Sequence, residues 1–294
     1  MWSIRKATLE DRDAVKELCI SAVGPDDYVI LMLDDLIKRA TVLIALDKGK
    51  AIGMMAYHRQ MDASAWISSA RTHPDYQRKG VAALIMRSCE DLAREDGGGT
   101  LRLWTESDNE SGKAAFMKSG FREVGRFTRM SAPPAKTGLS EDFGPLAYSE
   151  RLWTRVQSSE VLSKSGFYLN HGFGFLKITR GLFKTLVDKG FVYGWGRNLA
   201  VMSEFMLVGM ETLEAQILLD DPRETLKDLP AIAGANNMEQ VHTFLPHDAE
   251  MIGAARNAGF GLMEWGMEAI LCEKDVRSIR QASNDMDEVQ ARQD

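Results

Sequence analysis

Cysteine is scarce in this chain of 294 residues, long apolar runs and an excess of positive charge are missing from it, and each shortage excludes something. Cys19, Cys89 and Cys272 are its only cysteines. Three scattered thiols build neither a disulfide framework nor a cysteine-rich metal site, and they fit a reducing, cytoplasmic compartment. No apolar run approaches the roughly 18 residues of a membrane span. Met1-Trp2-Ser3-Ile4-Arg5-Lys6 enters a strand-like stretch without the apolar core of a signal peptide. Lys and Arg number 36 against 42 Asp and Glu, a formal net charge of -6. Nucleic-acid binding needs a basic face to neutralise phosphates, so neither nucleic acid nor membrane is expected as a partner. The histidines, at 58, 73, 171, 242 and 247, show no close ligand spacing apart from His242 and His247, and no metal site is expected.

What is present is an ordinary globular composition, 45% hydrophobic and 27% charged, in a chain long enough for one large domain or two of usual size. Residues 2–6 read as a strand. Leu9, Ala14, Val15, Leu18 and Cys19 recur at helical spacing, and residues 27–39 fit a second helix. Residues 41–46 (TVLIAL) and 51–58 (AIGMMAYH) are apolar runs joined by Asp47-Lys48-Gly49-Lys50, a hairpin signature, and residues 63–71 read as the third strand of a meander. After Gly80 the positions Val81, Leu84, Ile85, Cys89, Leu92 and Ala93 share a helical face, stopped by Gly97-Gly98-Gly99. A strand over 101–105, a helix over 109–119 and a strand over 121–130 complete the order β-α-α-β-β-β-α-β-α-β. That order implies a mixed sheet covered by helices.

Residues 133–148, with Pro133, Pro134, Gly138, Gly144 and Pro145, read as a linker. Beyond it we expect helices over 149–164, 176–188, 222–236 and 249–258. Strands are expected over 167–171, 191–196, 199–208, 214–219, 240–245 and 260–272. The charged stretch after Cys272 reads as a frayed tail or loose helix. The expected division is therefore a domain at 1–132, a linker at 133–148, a second domain at 149–275 and a tail at 276–294. The two halves share an element order. Ala114-Ala115-Phe116-Met117-Lys118-Ser119-Gly120-Phe121 is mirrored by Gly253-Ala254-Ala255-Arg256-Asn257-Ala258-Gly259-Phe260, each a helix closed by glycine before a buried phenylalanine. This self-similarity points to a duplicated fold.

The most informative segment is Thr72-His73-Pro74-Asp75-Tyr76-Gln77-Arg78-Lys79-Gly80-Val81-Ala82-Ala83. It follows a strand and opens a long amphipathic helix. Small residues at Gly80 and Ala82 let backbone approach a ligand closely. The first helical amides have no intrahelical partner, and the helix dipole favours negative charge there. With Arg78 and Lys79 alongside, these features make a pyrophosphate cradle. Gly-x-Ala taken alone fits a plain turn before a helix at least as well.

Residues Pro74 to Ala82 resemble the coenzyme A pyrophosphate loop of the GNAT acetyltransferases, whose signature is Gln/Arg-x-x-Gly-x-Gly/Ala. Asn109, followed by Phe116 and Gly120-Phe121, is similar to a second pattern of that family. The resemblance covers roughly residues 4–130. It implies an α/β (α+β) fold of tandem GNAT-like domains, each a mixed, mostly antiparallel twisted sheet flanked by helices. The implied cosubstrate is acetyl-CoA. The backbone of Ala70, Arg71 and Thr72 would bond its pantetheine arm, the amides around Gln77, Arg78, Lys79, Gly80, Val81, Ala82 and Ala83 would hold the pyrophosphate, Asn109 would bond near the pantetheine or help shape the acceptor side, and Phe116 would pack on the pantetheine. The implied reaction is direct attack of an amine on the thioester, without an acyl-enzyme.

One departure stands out. The family commonly has a tyrosine where this chain has Phe116, and a phenyl ring cannot protonate the leaving thiolate. The strand Trp66-Ile67-Ser68-Ser69-Ala70 carries no carboxylate, which removes one common location for a base. Glu106 and Tyr57 are the candidates for catalytic groups. Glu106 fits a helix-start carboxylate equally well, and of Tyr57 and its neighbour His58 one faces the core. In the second half Pro222 aligns with Pro74, but no glycine turn follows. Asp220, Asp221, Glu224 and Asp228 would repel a pyrophosphate there. Asp248 and Ala255 stand at the Asn109 and Phe116 equivalents, so this half is expected to keep the fold without a donor site, walling the acceptor pocket or mediating a homodimer. The expected function is N-acetylation of a small-molecule amine or a protein amino group. The alternatives are an acyl-CoA-binding sensor or interaction module without turnover, and a tandem transferase similar to mycothiol synthase. Asp26, Asp27, Tyr28, Asp34 and Asp35 fall where the family's acceptor cleft forms, and their acidity fits a cationic amine or a solvated helix face.

Overall fold

The computed structural model describes residues 2–136, 138, 140–172, 174–207, 209–219, 222–263 and 267–277. In chain order the first half contains β1 (Ser3–Lys6), α1 (Arg12–Ala22), α2 (Tyr28–Arg39), β2 (Thr41–Asp47), β3 (Lys50–Arg59), β4 (Ala65–Thr72), α3 (Val81–Glu95), β5 (Thr100–Glu106), α4 (Glu110–Lys118) and β6 (Arg122–Ala132). The second contains β7 (Gly144–Pro145), α5 (Glu150–Gln157), α6 (Glu160–Lys164), β8 (Tyr168–His171), β9 (Gly174–Lys177), α7 (Arg180–Asp188), β10 (Val192–Trp195), β11 (Asn198–Leu207) and β12 (Met210–Ile217). It ends with α8 (Pro222–Ala235), β13 (Gln240–Pro246), α9 (Ala249–Asn257), β14 (Gly261–Leu262) and β15 (Glu268–Asp275). Compactness divides the described chain into two units. One holds residues 2–103, 119–121 and 273–277, and the other residues 104–118 and most of 122–272.

In the first unit β1, β2, β3 and β4 form an antiparallel run, and β4 pairs parallel with β5. Val15, Leu18 and Cys19 of α1 and Val29, Leu33 and Leu36 of α2 bury their apolar face against Val42, Ile44, Met54 and Ala56. The helix α3 lies against β3 at Gly53, where an added Cβ would come within 2.6 Å of Val81 Cγ1 and 3.1 Å of Ile85 Cδ1. A glycine inside an apolar strand run is the sequence mark of such close approach.

The second unit repeats this logic. Strands β10, β11 and β12 form an antiparallel meander, β12 pairs parallel with β13, and β13 pairs antiparallel with β6. One sheet face, with Met130, Leu213, Ala215, Val241 and Leu245, packs on Leu226, Leu229 and Ile232 of α8 and Met251, Ala254 and Ala255 of α9. The helix ends also repeat. Gly120 and Gly259 both sit at φ +88, and the phenylalanines after them are 4% and 3% exposed.

Several expectations shift. The helix expected over 149–164 is two, because Ser159 starts a new one, its side chain accepting from Leu162 N–H. The strand expected at 167–171 is the β8–β9 hairpin, and the next helix begins at Arg180 behind the cap Thr179. Residues 144–145, within the expected linker, form β7 and pair with β10. The strand expected over 260–272 is interrupted, with 264–266 outside the described residues. Residues 273–275 are no tail: they complete β15. Val276 N–H donates to Gly99 O (2.8 Å), and Arg102 of β5 donates to Glu273 (2.9 Å), Ser64 (2.8 Å) and Asp62. The Arg102, Asp62 and Glu273 side chains are 6%, 7% and 11% exposed, so this is a buried, paired charge cluster. Replacing Arg102 by Ala leaves two buried carboxylates without their guanidinium. In denaturant unfolding, Arg102→Ala is expected to lose about 3–5 kcal/mol, the usual cost of breaking a buried pair.

Candidate functional site

The site begins where β4 gives way to α3. The register of β3 on β4 shifts between Met54 and Ala56, and opposite this bulge Ser69 takes φ +54. On its other side β4 pairs with β5 only at Ala65–Leu101 and Trp66–Arg102. From Ile67 to Thr72 that edge carries no β5 partner, so its backbone groups are open to a ligand. Past Thr72 the chain makes a 3-10 turn over Pro74–Tyr76, then Arg78 adopts φ +60 and Gly80 φ +92 as the N-cap of α3.

The α3 ladder starts with Leu84 N–H on Gly80 O (3.0 Å). The amides of Val81, Ala82 and Ala83 precede that bond and have no carbonyl one turn back to accept from them. A Cβ built on Gly80 meets nothing within 4 Å, so the space before the helix is open, while the left-handed φ favours glycine. Ala82, Ala83, Gln77, Arg78 and Lys79 are exposed around it. Gln77 Nε2 donates to Thr72 O (3.4 Å), Lys79 Nζ sits 5.6 Å from the Tyr76 ring centre, and Tyr76 is held by its hydroxyl on Asp47 (2.8 Å). Free amides, a helix N-terminus and two exposed cations suit a diphosphate. The structure thus brings Ala70, Arg71, Thr72 and the segment from Gln77 to Ala83 together in the first unit.

Arg71 is more than backbone. Its guanidinium donates twice to Asp27 (2.7 Å each), and that carboxylate, 3% exposed, also caps α2 by accepting from Val29 N–H. Burial pushes the Asp27 carboxyl up, but the Arg71 bonds and charge outweigh it and hold the group below its ordinary value. Asp27 is therefore committed, and Asp34 is paired with Arg12 (2.6 Å). Neither is a spare anion for an acceptor ammonium.

Tyr57 is buried, with its hydroxyl on Asp96 (2.7 Å) at the C-terminal end of α3, the end remote from Gly80. Burial first, and the Asp96 bond second, push that phenol up. Its neighbour His58 lies on the opposite face of β3, with Nε2 3.3 Å from Ser68 Oγ of β4. Glu106, Asn109 and Phe116 belong to the second unit. Glu106 ends β5, half-buried, with no hydrogen bond or ion pair to its carboxylate among the described residues. Asn109 caps α4: its Oδ1 accepts from Gly112 N–H (3.0 Å) and its Nδ2 donates to Thr105 (3.0 Å). Asp248 does the same for α9, accepting from Met251 N–H (3.1 Å). Phe116 is half-buried on α4.

The opening between β12 and β13 differs from its counterpart. Pairing stops after Glu214–His242, but Val161, Leu162, Tyr168 and Phe244 close around a void of about 10 Å³, the size of one water. On that sheet face Glu214 accepts from Gly172 N–H (2.6 Å), and Arg129 Nε donates to His242 Nε2 (3.3 Å). Burial, then the Arg129 charge, hold His242 well below its ordinary value, so it packs as a neutral ring. Asp228, one of the carboxylates expected to repel a pyrophosphate, instead accepts from Trp195 Nε1 (2.7 Å). Asp220 and Asp221 lie outside the described residues. The spacing Gln77-x-x-Gly80-x-Ala82 marked the loop. Gly53 and the Asp27–Arg71 pair were missed, the first because one glycine in a strand is a faint mark, the second because its partners are 44 residues apart.

Residues 11–121, well under half of the chain, match the model of the acetyltransferase (GNAT) family. No curated protein matches the chain. Among solved structures, a GCN5-related N-acetyltransferase from Sphaerobacter thermophilus is similar over 94% of this chain and 96% of its own (TM-score 0.59, 12% identity). An acetyltransferase candidate from Thermoplasma acidophilum covers 93% and 99% (TM-score 0.62, 13%). Another, from Pyrococcus horikoshii, covers 93% and 89% (TM-score 0.56, 15%). At these identities the likeness is one of fold. The fold is the mixed, mostly antiparallel α/β arrangement of such enzymes, and the family match supports the GNAT superfamily.

Two outcomes follow from the geometry. Gly53→Val should overpack the β3–α3 contact and cost about 1–3 kcal/mol in urea unfolding. Asp27 has a folded-state pKa below its unfolded one, so its stabilisation is present above the unfolded value of about 3.9 and is lost as pH falls through the folded value. The stability gap between wild type and Asp27→Asn should therefore shrink below about pH 4, measured by thermal unfolding at stepped pH.

Proposed function

We propose that the chain is a GNAT-type N-acetyltransferase that uses acetyl-CoA as acyl donor, bound by the first unit, and transfers the acetyl group directly to a primary amine of a small molecule or a protein. The observation that carries this is the left-handed Gly80 turn, which leaves the amides of Val81, Ala82 and Ala83 at the open end of an unpaired β4 edge. A diphosphate at those amides and an extended arm along Thr72, Arg71 and Ala70 would meet backbone that has no β5 partner. The second half, with its opening closed by Val161, Leu162 and Tyr168, is read as a duplicated fold without a donor site. Phe116, which cannot donate a proton, favours one competing reading, an acyl-CoA-binding module without turnover.

Calorimetry with acetyl-CoA tests the reading through Ala82→Glu. A carboxylate in the first turn of a helix is favoured by the dipole, so the variant should melt no lower than wild type. The same charge repels a diphosphate and should weaken binding by about tenfold or more, a difference of about 1.4 kcal/mol. Equal affinity in the two proteins, or no binding to either, would reject the cradle. Thiol release with amines separates enzyme from sensor.

A further inference from the structure

The unpaired edge of β4 has a direction. If the diphosphate sits at Val81 to Ala83 and the arm runs back along Thr72, Arg71 and Ala70, the acyl end comes to the bulge at Ser69 and to Ser68. This step rests on the acetyl-transfer reading. Ser68 is half-buried, and its hydroxyl is 3.3 Å from His58 Nε2. His58 pairs with Trp66, and Ser68 with Ala56, so both side chains lie on the sheet face that α1 and α2 cover. Tyr57, by alternation, points to the other face and is held by Asp96.

We propose that Ser68 and His58 form the proton relay of the acceptor site, with Ser68 touching the amine and His58 acting through it as the positioning residue. The ammonium proton of the acceptor passes to Ser68 Oγ as the Ser68 hydroxyl proton passes to His58 Nε2, and His58 returns it to water. The nitrogen lone pair then forms the N–C bond with the thioester carbonyl. The C–S bond breaks, one of the two protons left on the attacking nitrogen ends on the coenzyme A thiolate, and the other stays as the N–H of the amide product.

The surroundings leave the ring available. On the face His58 shares, the titratable groups among the described residues include Cys19 of α1, Asp27 and Tyr28 at the start of α2, the Tyr28 ring lying under the Arg71 guanidinium, and Arg71 of β4. Burial pushes the Cys19 thiol up to about 11, and Asp27 and Arg71 neutralise each other. From β2 the residues that face this layer, Val42, Ile44 and Leu46, are apolar. Burial lowers the His58 pKa, and with no carboxylate against it the imidazole is neutral and basic at neutral pH. The arrangement supplies on β3 and β4 together the base that β4 alone lacks.

The test uses the full chain, acetyl-CoA, and butylamine as a generic primary-amine acceptor. Thiol release is followed against pH for wild type, His58→Gln and Ser68→Ala, with calorimetry of acetyl-CoA on each. The relay predicts unchanged donor affinity, a loss of kcat/KM of tenfold or more in both variants, and an acid limb below the ordinary imidazole value that disappears in His58→Gln. If His58→Gln does not fold, Ser68→Ala carries the test alone. Donor binding with wild-type turnover and the same acid limb in the variants overturns the relay and leaves the donor site standing. Donor binding without any thiol release from wild type overturns it as well. Absence of donor binding overturns the acetyl-transfer reading itself.

Discussion

Parallel pairing is the constraint on which this molecule turns. Two parallel neighbours cannot be joined by a tight turn, so the chain leaving β4 must cross a sheet face before it can enter β5. The crossover is α3, and its first amides therefore fall beside the last residues of β4. The strand end, the left-handed turn and the helix N-terminus are one object, and an anion-binding corner comes with it. What distinguishes this corner is that β4 and β5 part after two residue pairs. The unit built on β12, α8 and β13 obeys the same rule, yet α6 and Tyr168 close its opening. Topology makes the slot in both, and side-chain volume decides which one stays open.

Polar groups inside the two units meet different fates. Arg71 and Asp27 neutralise each other and fasten the start of α2 to β4, which fixes the face that His58 and Ser68 share. Asn109 and Asp248 spend their side chains on helix starts. In each case the hydrogen-bond partner, rather than the residue type, settles what the group can do. An acidic stretch such as Asp26 to Asp35 looks like a cation site until Arg71 and Arg12 are found to occupy two of its carboxylates.

Much of this was legible beforehand because the signals are local. The hairpin turn at Asp47 to Lys50, the glycine stop after α3 and the Gln77-to-Ala82 loop each carry their geometry in neighbouring residues. The elements that were misplaced depend on distant partners. Glu273, Lys274 and Asp275 have the composition of a solvated tail, and distant partners make strand of them: Arg102 takes Glu273, Glu90 takes Lys274, and Val276 N–H bonds Gly99 O. The split between α5 and α6 turns on Ser159, a cap that also reads as an ordinary helical serine. Tyr57 and His58 are adjacent, and register alone decides which of the two meets α3.

The buried contact of Arg102 with Glu273 joins residues separated by 171 positions. A chain grows from its N-terminus, and domains ordinarily fold as they emerge. Here the unit that holds the Gly80 loop must wait: until residue 273 has been polymerised, Arg102 lacks one of its two carboxylates, and the flank of β5 that β15 covers stays bare. An unfinished strand edge beside a buried charge is what chaperones and aggregation compete for. The unit that holds the Gly80 loop, although begun before the other, is completed only after residues 104–272 have been made.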